Sequence, residues 1–208
     1  MDQRFRFSDD LTELLETVAD TVRTRIRTAV PVMVAKDSED GHTVALQALV
    51  KSVQKMPDGT ERLVDLPVLT DVPIHHAGGG GMTTTHAHKS GDEGVVLLCQ
   101  NSIDVWHQQG GIQQQGDART HSLSDGIYVP GVRSDPRKLK GVSTSSTQTR
   151  TDDKQTVHDV SHFSVTAVRE ESAHQVAGKA VQTQVAGASH VVDAKTIQQV
   201  AGKILMNC

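Results

Sequence analysis

The chain has 208 residues, of which 36% are hydrophobic and 2% aromatic, and a formal net charge of −4. That length holds one or two domains, but the large side chains that dominate cores are scarce, and from Gly141 to Cys208 the only aromatic is Phe163. The acidic balance argues against a nucleic-acid or anionic-membrane partner, and two distant cysteines, Cys99 and Cys208, make no disulfide framework.

The N-terminus, MDQRFRFSDD, has no apolar h-region, and no run reaches transmembrane length. A soluble protein made in the cytosol without a signal peptide is expected. Residues 9–27 read as a helix capped by Ser8, Asp9 or Asp10, with Leu11, Leu15, Val18 and Val22 on one stripe and Leu14 and Ile26 broadening it. Arg23, Arg25 and Arg27 suit its C-terminal dipole, and Pro31 stops it. The stripe either packs on its own domain or docks on a neighbouring ring of subunits.

Strands follow. Val30, Val32 and Val34 alternate, as do Val44, Leu46, Ala48 and Val50, and then Val64, Leu66 and Val68. Pro57-Asp58-Gly59 is a turn, so residues 42–69 read as one long hairpin, with Pro67 at an edge. After His75-His76-Ala77 come four glycines, 78–81, a strand-like stretch Met82 to His88, a turn at Gly91-Asp92-Glu93-Gly94, and a buried strand Val95 to Gln100. In that run Cys99 reads as a small buried hydrophobe. Five closely spaced strands suggest a small Greek-key barrel of the OB type. Ser102 can cap a short helix with Ile103 and Trp106 inward, Gly110-Gly111 ends it, and Leu123, Ile127, Tyr128 and Val129 rejoin the core before Pro130-Gly131.

From Arg133 the sequence becomes polar. Short alternating pieces follow, and Val-Ala-Gly recurs at 176–178, 185–187 and 200–202 with uneven spacing. Strands with one narrow face of Val and Ala cannot, in a single chain, offset an ordering entropy of roughly 1–2 kcal/mol per residue. Disorder is one resolution; winding identical chains into a β-helical fibre is the other, and the repeated valines favour it.

Three ordered motifs carry a resemblance: GDEGVVLLCQ (91–100), SIDVWHQQGG (102–111) and HSLSDGIYVPG (121–131). Through Gly91-Asp92, then Ser102, Asp104, Trp106, Gly110 and Gly111, then His121, Leu123, Ser124, Asp125, Pro130 and Gly131, the chain resembles the N-terminal domain of contractile-tail phage baseplate spike proteins. The resemblance implies a mainly β protein with an N-terminal helical extension (1–28), an OB-fold head (29–131) and an intertwined trimeric β-helical shaft and tip (132–208). It implies a homotrimer in the virion tail baseplate, synthesised in the host cytoplasm and held by hub and tail-tube proteins at its N-terminal side. Such a spike is driven through the host outer envelope on sheath contraction and is a structural protein, not an enzyme. Several spikes end in a His-x-His that binds iron at the apex. This chain ends KILMNC, so that site is not carried over, and Ile204, Leu205 and Met206 would form a dry threefold plug or seat a separate tip protein. No cofactor is expected; a lone inward His on a trimer axis supplies three nitrogens, which makes His158, His162, His174 and His190 the candidates for an axial ion.

Two other readings compete. Gly80-x5-His86-x-His88-x4-Glu93 nearly matches the first metal motif of cupins, and His86 and His88 at i and i+2 on a strand would share a face. Against it, Gln100 stands where that motif needs Gly, and no second motif follows. An OB-type nucleic-acid binder would need stacked aromatics in a basic groove, and the predicted strands carry none. No Gly-x-Ser-x-Gly occurs, and no carboxylate pair stands out for hydrolysis.

Overall fold

The computed structural model describes residues 11–20, 22 and 26–202. The proposed caps Ser8, Asp9 and Asp10, the dipole partners Arg23 and Arg25, and the tip residues Ile204, Leu205, Met206 and Cys208 lie outside them. The chain forms two compact units, Met1–Pro136 and Arg137–Cys208.

In the first unit residues 11–20 form a helix, α1. The core is built by β1 (Ala29–Lys36), β2 (Thr43–Ala48), β5 (Leu69–Pro73), β8 (Glu93–Leu98) and β9 (Gly126–Pro130), ordered β5-β2-β1-β8-β9. Period-two alternation works as expected: Val30, Val32, Val34, Val44, Leu46 and Ala48 are all buried, as are Val96, Leu98 and Tyr128. Each fully buried Val or Leu contributes about 1.5–3 kcal/mol. The sheet curls into a half-barrel until its edge strands meet. Ile74 forms a parallel bridge with Tyr128, and the His75 N–H donates to the Tyr128 carbonyl at 2.8 Å.

The long hairpin over 42–69 is not one ladder. Residues 49–50 bend, leaving Val50 exposed and not in line with Val44, Leu46 and Ala48. A separate ribbon of β3 (Lys51–Lys55) and β4 (Glu61–Asp65) follows, while β2 takes β5 as its partner. Pro67 explains the break, because it has no N–H with which to continue the ladder. The ribbon turn is as expected, with Gly59 at φ 82° and Asp58 Oδ1 accepting the Thr60 N–H at 2.9 Å. The strand-like stretch Met82 to His88 shrinks to β7 (Met82–Thr84), paired with β6 (Ala77–Gly79).

Two glycines are required by close approach. A Cβ on Gly94 would sit 2.5 Å from Tyr128 Cε2 and 2.6 Å from the Val129 carbonyl oxygen, and one on Gly126 would collide with the Val96 side chain. Gly94 makes room for the Tyr128 ring, and Gly126 for Val96 across the β8–β9 pair. α2 (Asp104–Gln109) and a 3-10 turn at Asp135–Arg137 complete the regular elements around the junction.

The second unit is a single-layer antiparallel meander: β10 (Ser146–Arg150), β11 (Thr156–Ser161), β12 (Ser164–Arg169), β13 (Ser172–Ala177), β14 (Ala180–Val185), β15 (Ala188–Asp193) and β16 (Ile197–Val200), paired in chain order. Two-residue turns join most of them, and Glu170 (φ 52°) and Ala186-Gly187 (φ 41° and 86°) adopt the left-handed conformation that such hairpins demand.

Gly94→Ala is expected to destabilise the first unit by about 1–3 kcal/mol, the range for overpacking a filled core. Urea unfolding followed by fluorescence checks this; an unchanged midpoint would contradict the packing described.

Candidate functional surfaces

Two of the motif segments meet at one buried carboxylate, Asp125. Asp125 is fully buried. Arg119 Nε donates to its Oδ2 at 2.7 Å and Arg119 Nη2 to its Oδ1 at 2.8 Å, while the Ile103 N–H reaches Oδ1 at 3.0 Å. Nη2 also donates to Asp104 Oδ2 at 2.7 Å, so one guanidinium ties α2 to the approach of β9. Burial acts to raise the Asp125 carboxyl, but the Arg119 and Ile103 hydrogen bonds outweigh it and hold it below the usual range. Arg119 is correspondingly held cationic. The Asp125 carbonyl accepts the Cys99 N–H at 2.8 Å. Cys99 is half-buried rather than buried, and burial, with the Asp125 charge adding, pushes its thiol up, away from nucleophilic use.

Two expectations about this junction need correction. Ser102 does not cap α2; the N-cap position is Ile103, with no side-chain cap. Trp106 is 46% exposed, not a core anchor. None of the six residues of α2 is buried. Tyr128 does anchor the core: burial, helped by Asp92, pushes its phenol up to about 12.

The histidine motif does not assemble. His88 is buried against Tyr128 (ring centroids 5.8 Å) and His76 (6.2 Å), whereas His86 is exposed. They share no strand face because regular pairing ends at Thr84. Glu93, the third member, instead accepts the Ser134 N–H at 2.7 Å and the Ser134 hydroxyl at 3.0 Å. Burial, then His76, lowers the His88 imidazole, which favours a neutral ring. Within one chain no group of three or more His, Cys, Asp or Glu among the described residues is placed to hold a metal.

What the chain does present is uncovered apolar surface. Leu11, Leu14, Leu15, Val18, Val22 and Ile26 are all exposed, so the helical stripe is not packed on its own domain. The second surface lies on the meander. Cross-strand pairing makes Val160, Val165, Val176, Val181, Val192 and Ile197 one unbroken row across six strands, and every member is exposed. Beside it on the same face runs His158, Ala167, His174, Thr183, His190 and Gln199. Of the four histidines proposed for an axis, three share this row, whereas His162 sits in a turn. The central row of the opposite face is Asp159, Thr166, Gln175, Gln182, Val191 and Gln198. Asp159 there accepts from Ser146 and Gln148, which lower its carboxyl.

The signal that finds these rows is a period of sixteen residues, one hairpin long, shared by His158, His174 and His190, by Val160, Val176 and Val192, and by Val165, Val181 and Ile197. The Val-Ala-Gly tripeptides obscure it. The first lies at the end of β13 and the second straddles the turn after β14, so they occupy different structural positions.

Asp125→Ala is expected to cost about 1–3 kcal/mol, because it leaves the Ile103 N–H without its acceptor, while Asp104 still pairs with the Arg119 cation. Thermal unfolding monitored at Trp106 checks this; a loss under about 0.5 kcal/mol, typical of a surface site, would contradict it.

Residues 23–131 match the family described as Phage protein Gp138 N-terminal domain, which spans just over half of the chain and takes in β1 to β9 together with the Asp125 junction. No curated protein matches the chain. The chain belongs to this phage protein family, and that membership supports a structural role in the virion.

Proposed function

We propose that the chain is a homotrimeric baseplate spike that works by rigidity: hub and tail-tube proteins hold its N-terminal side, and sheath contraction drives it through the host outer envelope. The observation that carries this reading is the exposed valine row. A sheet must bury its apolar face, and six β-branched residues in register on a single layer leave that face without cover. Three copies turned inward would cover one another. The opposite row, polar except for Val191, would then face water, and backbone pairing within each chain would leave few free edges along the shaft.

Membership of the phage family supports the setting. The head supports an OB-type reading, because its strand order and the parallel Ile74–Tyr128 bridge join β5 to β9 as a five-stranded Greek-key barrel requires. The exposed stripe of α1 supports docking on a ring of hub subunits, and the shaft end would seat a separate tip protein. No nucleic-acid partner and no catalysis form part of this reading.

Sedimentation equilibrium tests it. The intact chain is expected to weigh three times the 22.4 kDa of one chain, and Val176→Asp combined with Val181→Asp is expected to give monomers. A wild-type monomer at micromolar concentration would overturn the proposal.

A further inference from the structure

The row beside the valines alternates large and small residues with a histidine on every second strand. Neighbouring strands lie about 4.8 Å apart, so the three histidines recur at roughly 9.6 Å. His174 differs from a merely exposed imidazole. Its Nδ1 lies 3.0 Å from Thr183 Oγ1, on the paired strand β14. With the Nδ1–H donated to that hydroxyl, Nε2 keeps its lone pair and the ring is held in one orientation. A metal-bound histidine is arranged in this way, with its second nitrogen anchored to fix the tautomer. The strand positions on this face carry no carboxylate, and Arg169 is the one charged side chain among them, opposite Thr156 and Ser172.

We infer that, in the trimer proposed above, on which this inference rests, the three copies of His174 form a three-nitrogen site for a divalent transition cation such as zinc or cobalt. Neutral imidazoles are the donors that such ions prefer over calcium or magnesium. Three nitrogens leave a fourth tetrahedral position for water or an anion, which the nearby Arg169 charge would favour. One chain contributes one ligand, so the site is complete only in the assembly. Thr183 is a positioning residue that holds the ring without touching the ion. The site would pin the three sheets together midway along the shaft.

The untagged full-length chain, stripped with chelator and titrated with cobalt(II), tests this by native mass spectrometry, which reads subunit number and bound metal together. The expected species is a trimer with one tightly held cobalt and a visible absorption band from nitrogen coordination. His174→Ala is expected to remain trimeric and lose that ion, and Thr183→Val to bind it about 10–100-fold more weakly. A wild-type trimer without stoichiometric cobalt, or a His174→Ala trimer that holds cobalt as tightly as wild type, would overturn the inference and leave the spike reading intact. A wild-type monomer would overturn both.

Discussion

A single-layer sheet has two faces, and the second unit has nothing of its own to lay on either. On one face the central row is mostly polar, with Asp159, Thr166, Gln175 and Gln182 at home in water and Val157, Val168 and Ala173 paired beside them. On the other, Val160 through Ile197 form an apolar row that runs the breadth of the sheet. Covering the row would remove apolar area worth about 25 cal/mol per Å², and each added copy brings an identical row to do so. The reading of this protein as a mechanical trimer depends on that unbroken row.

The first unit solves the opposite problem, packing a core with one tyrosine and few other large residues. Tyr128 takes the middle of the half-barrel, where Gly94 makes room for its ring and Gly126 for the Val96 side chain. Asp125 sits a few residues earlier, where β9 leaves the junction, and Arg119 binds it together with Asp104 on α2. The chain thus enters its last core strand from a charged clamp whose partners are all local. That clamp accounts for two of the motif positions, Asp104 and Asp125, which Arg119 joins.

Much of this was legible in the sequence. Apolar alternation located β1 and β2, a continuous apolar run located β8, although Leu97 in it is exposed, and the ordered motifs located the junction, because burial on one face and turn chemistry are local signals. Three things were not. Trp106 looked like a core residue by type, but it lies on a six-residue helix that buries none of its side chains. The ladder over 42–69 looked continuous with Pro67 at its edge, whereas the pairing breaks there and β2 takes β5 as its partner. The histidine and valine rows depend on hairpin register, which two-residue turns set and a repeated tripeptide disguised. His86 and His88 failed as a pair for a related reason: i and i+2 share a face only where strand geometry persists, and here it stops at Thr84.

A rigid piercing element must keep its apolar face covered at all times, and that is open to direct measurement. With Cys99 and Cys208 replaced by Ser, a single cysteine is placed at Val181 or at its neighbour Gln182, on opposite faces of β14, and the rate of thiol labelling is compared in the native protein. In one chain alone Val181 is exposed and Gln182 half-buried, so an uncovered sheet would label Val181→Cys faster. The trimer requires the reverse: Val181→Cys protected until the protein is denatured, and Gln182→Cys labelled at once. Faster labelling at Val181→Cys in the native protein would contradict the account.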